Sequence, residues 1–212
     1  MTASVFKWGI IPKHRWRRKL TGTYKNWKPE LAEEGGHRCV YCAIPDSRMG
    51  GVYCFHVEHF EPKSKAPERT NDWSNLFYAC PICNVFKGND WPEPGSPIAY
   101  VNPSVVDYEA IFLRRPAGLI TGRTPAASYM IERLYLNRPQ LILERREAEL
   151  RERLGTIRQV LSELVPVARQ RGQEAFDKVL ECFERLNSVS QLADELVYQT
   201  PYEAADVRRP SR

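Results

Sequence analysis

The chain of 212 residues has 42% hydrophobic and 27% charged residues and a formal net charge of +5, the balance of a soluble globular protein rather than a disordered or membrane-embedded one. Its apolar runs span only a few residues, too short for a spanning helix, and its basic N-terminus lacks the apolar core and cleavage site of a secretory signal. Six cysteines without such a signal argue against a disulfide scaffold and for metal ligation, with the cytoplasm as the expected location and no membrane partner.

Met1 to Glu30 holds eight Lys or Arg against one acid, with the cluster Lys13-His14-Arg15-Trp16-Arg17-Arg18-Lys19. Such a patch attracts polyanions by counterion release, and Arg15, Arg17 and Arg18 are candidate nucleic-acid contacts. The plain alternative is a solvated tail. Trp8, Trp16 and Trp27 either stack on bases or pack in a core. Residues 1–35 therefore read as a basic, aromatic arm ending in a short helix over 28–34, with Pro29 near its start and Gly35-Gly36 as its stop.

Residues 36–103 form the expected core unit. Val52 to Phe60, rich in aromatic and branched residues, predicts a strand that ends at Pro62. Trp73 to Ala79 predicts a second strand or its approach, and Cys80 to Gly88 a short helix. Asn89 to Pro103 is too rich in proline for a helix and reads as a wrapping linker. The stretch 105–120 stays open between a strand pair and a short helix. Beyond it, the region 104–212 becomes mainly helical. Short and long helices are expected over 128–136 and 141–164, a break or kink at Pro166, and two more helices over 173–186 and 190–198. These either pack on their own domain or build a homo-oligomer or partner surface.

Cys39 and Cys42, then Cys80 and Cys83, make two Cys-x-x-Cys pairs. Two intervening residues let one tight turn present both sulfurs to a tetrahedral zinc ion. The 37 residues between the pairs (43–79) exceed the spacing of compact four-cysteine sites and leave room for a β-hairpin, which the ion would clamp. Four thiolates leave no open position, so the expected Zn2+ is structural. Cys54 is expected to be a small buried apolar residue. His56 is left outside the ligand set.

Between the two pairs lies Val57-Glu58-His59-Phe60-Glu61-Pro62-Lys63-Ser64. Glu58 offers hard oxygens suited to a divalent cation, and His59 titrates near neutrality and can accept a proton from water. Adjacent residues on a strand face opposite sides, so both reach one site only if the strand bends, which Pro62 favours.

Together with Cys39-Val-Tyr-Cys42, Trp73-Ser-Asn75-Leu and Ala79-Cys-Pro-Ile-Cys-Asn84-Val-Phe-Lys87-Gly88, this stretch resembles an HNH endonuclease of the zinc-stapled, treble-clef kind. Ile131-Glu-Arg-Leu-Tyr-Leu-Asn-Arg138 is similar to a segment that follows the motif in some bacterial HNH proteins, several of which serve anti-phage defence beside an ATPase partner. The resemblance implies an α+β fold with a small ββα-metal core, DNA as partner and phosphodiester hydrolysis as activity. It implies His59 as general base and Asn75 as the amide that ties down the loop bearing it. Glu58 and Asn84 become ligands of a catalytic Mg2+ or Mn2+; the family usually has aspartate and histidine there. Lys63, Lys65 and Lys87 become candidate phosphate contacts, with a solvated surface role as the alternative. A catalytically inactive zinc-stapled nucleic-acid-binding or partner-docking module is the competing reading.

Overall fold

The computed structural model describes Trp8, Ile11, residues 22–93 and residues 95–198, the last with backbone alone at 190 and 192–198. Arg15, Arg17, Arg18 and Trp16 of the expected arm lie outside the described residues. The fold is α+β.

Helix α1 spans Lys28–Glu34, with a proline in its first turn and Gly35 at its end, as its sequence signals require. Strands β1 (His56–His59) and β2 (Leu76–Ala79) pair antiparallel, with His56 opposite Ala79 and His59 opposite Leu76. Helix α2 (Pro81–Lys87) follows β2 directly and stops at Gly88, whose φ of +50° is a conformation glycine adopts without a Cβ penalty. β1 is shorter than the strand expected over 52–60, because residues 51–54 form turns. Cys54 therefore sits in a turn and is exposed, against the expectation of a buried residue.

The stretch left open on sequence holds both alternatives. One helical turn, α3 (Tyr108–Ile111), runs straight into β3 (Phe112–Arg114), which pairs antiparallel with β4 (Ile120–Gly122). Helix α4 begins earlier than expected, at Pro125–Arg133, because Thr124 caps it by accepting from the Ala127 amide at 3.1 Å. Helix α5 (Pro139–Arg171) runs through Pro166 without ending there. The carbonyl freed by the missing proline N–H belongs to Ser162, an exposed residue that water can serve. Helix α6 (Gln173–Tyr198) is continuous where two helices were expected, and it packs on α5 after Gly172 turns the chain at φ +87°.

One buried cluster joins these parts. Leu31, Tyr41, Ile44, Phe77 and Tyr78 continue into Tyr108, Phe112, Ile120, Leu134 and Leu141. Trp8 and Trp27 are buried in it, so both pack rather than offer a stacking face. The Trp8 indole donates to the Tyr41 carbonyl at 3.1 Å and meets Phe112 edge-on at 5.3 Å between ring centres. Asp90, just after α2, accepts from Tyr100 and from Arg133, each at 2.9 Å, and also from Tyr129. It thereby fastens the wrapping segment to α4. No helix among the described residues is long and apolar enough to cross a membrane.

Candidate functional site

The four paired cysteines converge. The sulfurs of Cys39, Cys42, Cys80 and Cys83 all lie within 4.8 Å of one another, and all four residues are buried. Zinc–sulfur bonds of about 2.3 Å place the corners of a tetrahedron about 3.8 Å apart. The Cys42–Cys80 sulfur separation is 3.8 Å, which fits an ion and is far beyond a disulfide bond. Local backbone builds the two turns. The Ala43 amide closes the first on the Cys39 carbonyl at 2.9 Å, with Ala43 at φ +58°. In the second, the Cys80 sulfur caps α2 by accepting from the Cys83 amide at 3.4 Å. The first turn is tied to the hairpin by a bond from the Val40 amide to the Tyr78 carbonyl at 2.9 Å. The cluster thus joins the strand side and the helix side of the hairpin, and its four sulfurs are a donor set that could hold an ion such as zinc.

Glu58 and His59, adjacent at the end of β1, are held by different neighbours. Glu58 faces α2, and its Oε1 receives Lys87 Nζ at 2.8 Å and the Tyr41 hydroxyl at 3.1 Å. Burial pushes the Glu58 carboxyl upward, against the pull of Lys87 and Tyr41. Lys87, expected as an exposed phosphate contact, is instead fully buried. Its ammonium also donates to the His59 carbonyl at 3.0 Å and lies 5.3 Å from the Tyr100 ring centre. The physical reason is helical spacing. Lys87 lies three residues after Asn84, so both point from α2 toward β1.

Asn84 Nδ2 meets His56 Nδ1 at 3.0 Å. That contact commits the amide nitrogen and turns Oδ1 elsewhere, just as the Glu58 contacts commit Oε1 and leave Oε2. The two remaining oxygens are hard donors of the kind a magnesium- or manganese-sized cation takes, and in that respect the residues fit such an ion. Glu58 and Asn84 are not themselves hydrogen-bonded partners; each is held by a neighbour, Lys87 and His56.

His59 has partners of its own. Its Nε2 is 3.0 Å from the Thr70 carbonyl. A carbonyl only accepts, so this contact requires the proton on Nε2 and leaves the lone pair on Nδ1. The ring also meets Tyr24 edge-on at 4.7 Å. Burial lowers the imidazole below its ordinary value, the Thr70 carbonyl opposes this, and Lys63 and Lys87 add to it. At neutral pH the ring is therefore an uncharged base. The chain immediately after it is pinned by Asn75, whose Oδ1 accepts from the Glu61 amide at 2.8 Å and whose Nδ2 donates to the Glu61 carbonyl at 3.0 Å. Asn75 is itself buried at the end of the short 3-10 turn that leads into β2.

Lys63 and Lys65 are exposed on the loop beyond His59. Lys63 donates to the Tyr24 hydroxyl at 3.2 Å, so Tyr24 lies between the imidazole and a surface cation. Sequence reasoning missed Tyr24, Tyr41 and the buried role of Lys87. Only Lys87 carried a signal, its helical spacing from Asn84. It also gave no role to Arg138, although the resemblance of Ile131–Arg138 marked the segment. Leu134 and Leu136 are buried there, Asn137 bonds both backbone groups of Ile120 at 3.0 and 2.8 Å, and Arg138 reaches the cysteine cluster.

Searches among curated proteins and among solved structures return no match to the chain. Residues 39–90 match the family model described as HNH endonuclease, and over that segment the chain carries an HNH endonuclease domain.

Proposed function

We propose that this protein is a metal-dependent endonuclease that hydrolyses phosphodiester bonds of DNA, with His59 as general base. The observation that carries the reading is the setting of His59. Its Nε2 is committed to a backbone carbonyl, its Nδ1 lone pair is available, burial keeps it uncharged, and Asn75 pins the chain two residues on. Nδ1 would take a proton from the attacking water, and the Thr70 carbonyl would steady the imidazolium that forms. Glu58 Oε2 and Asn84 Oδ1 would hold the divalent cation, which supplies charge neutralisation at the scissile phosphate when bound. His56 and Lys87 act through these two residues, orienting the amide and the carboxylate. Lys63 and Lys65 would contact flanking phosphates, as would Arg15, Arg17 and Arg18 from the N-terminal arm. Under this reading 36–103 is the nuclease unit, 1–35 its arm and 104–212 a helical region. An anti-phage role beside an ATPase partner rests on the resemblance of Ile131–Arg138 alone.

A second reading has its own observation. The Glu58 carboxylate is already paired with a buried ammonium at 2.8 Å, as it would be in a zinc-stapled DNA-binding module without catalysis. Supercoiled plasmid incubated with the protein over a panel of magnesium, manganese and no metal separates the two. Metal-dependent relaxation supports the nuclease. Salt-sensitive binding with no cleavage under any metal supports the second reading.

A further inference from the structure

We infer that Arg138 is an outer-sphere partner of the four-cysteine metal centre, neutralising its charge. A divalent ion with four thiolates carries a net charge of −2, and here that charge is buried among apolar side chains. A buried anion of this kind is costly unless a cation accompanies it. Arg138 is the buried cation aimed at it. Nη1 lies 3.7 Å from the Cys83 sulfur, and Nη2 lies 3.7 Å from Cys42 and 3.8 Å from both Cys80 and Cys83. Three of the four ligands are thus contacted by one planar fork, a geometry lysine could not reproduce.

The backbone around Arg138 is built for this reach. Arg138 occupies the residue before α5, where Pro139 opens the helix, and its Nη1 also donates to the Leu134 and Tyr135 carbonyls at 3.5 and 3.4 Å. Arg145, about two turns further along α5, holds the same corner from behind. Its Nη1 donates to the Gly118 carbonyl at 2.6 Å and its Nη2 to the Leu136 carbonyl. Arg138 Nε is buried without a hydrogen-bond partner, so the fork faces the sulfurs even at the expense of one donor. That orientation is favourable if the sulfurs are anionic, as they are when they hold a metal ion. The inference concerns the cysteine centre only and stands whether or not the chain cuts DNA.

The test is zinc transfer to a chromogenic chelator from the full chain loaded with one zinc ion. Loss of an outer-sphere partner weakens metal binding by about 10–100-fold. Arg138→Met is expected to release zinc at least about tenfold faster than wild type, and Arg138→Lys to fall between them. Asn137→Ala, which loosens the same turn without touching a sulfur, is expected to release zinc at the wild-type rate. Equal release from wild type and Arg138→Met would overturn the inference, as would Asn137→Ala matching Arg138→Met. Should Arg138→Met fail to fold by circular dichroism, Arg138→Lys against Asn137→Ala decides. Faster release from the lysine variant supports the outer-sphere role, and equal release refutes it.

Discussion

Lys87 Nζ and Glu58 Oε1 are 2.8 Å apart, and both side chains are buried. This pair welds α2 to β1 at the point where the chain must present His59, because the same ammonium also holds the His59 carbonyl. Removing one partner of a buried ion pair strands the other charge and costs about 3–5 kcal/mol, whereas replacing both by apolar groups is often near neutral. Lys87→Met is therefore expected to lower the urea unfolding free energy by about that amount. The double variant Glu58→Gln with Lys87→Met should recover a large part of it. Additive losses in the double-mutant cycle would mean that the pair does not act as a unit.

The cysteine centre makes a separate claim. With four buried sulfurs in tetrahedral reach, metal binding and folding of the hairpin should be one event. Zinc content is expected at one ion per chain. Prolonged chelation should expose Cys39, Cys42, Cys80 and Cys83 to alkylation and abolish the cooperative thermal transition. Four thiols that stay unreactive after chelation would show that packing alone protects them.

Asp90 gives an acid-stability prediction. Burial pushes its carboxyl up, but the hydrogen bonds from Tyr129, Tyr100 and Arg133 outweigh this and hold it below the usual carboxylate value. A depressed folded value means that its stabilisation is fully present above the unfolded value, about 3.9, and is lost as pH falls through the lower folded value. Asp90→Asn is expected to be less stable than wild type by about 1–3 kcal/mol at pH 7. The gap should narrow as the pH is taken below 4. A gap independent of pH, followed by urea midpoints, would place the effect in packing rather than charge.

Under the proposed mechanism, His59 would set the pH profile of cleavage. Its folded value is lowered, chiefly by burial, so the basic form persists below the ordinary histidine value of about 6.5. The acid limb of the single-turnover rate is expected below that pH. A limb above it would require a base other than His59, or an imidazole raised rather than lowered.

The cysteine spacing, the hairpin and α2 were legible because each rests on local signals: paired thiols, branched runs, a proline at a helix start. Asn75 was placed by its station in the motif, and its contacts to Glu61 give it a loop-tying geometry. What escaped were contacts made between distant segments. Lys87 looked like a surface cation until α2 packed on β1 and buried it. Tyr24 reaches His59 across 35 positions, and Arg138 reaches Cys42 across 96, separations over which periodicity carries no information. Pro166 does not end α5: its local signal is strong, but on an exposed helix face water serves the carbonyl it frees.

The central claim is that His59 performs the chemistry on a frame the cysteines hold. General-base contributions run to about 10²–10⁴-fold. Plasmid cleavage by wild type and His59→Ala over magnesium and manganese, with zinc content and circular dichroism measured on the same samples, tests it most directly. Metal-dependent cleavage by wild type is expected, falling at least about a hundredfold in a His59→Ala protein of equal zinc content and fold. Undiminished cleavage by that variant would contradict the account.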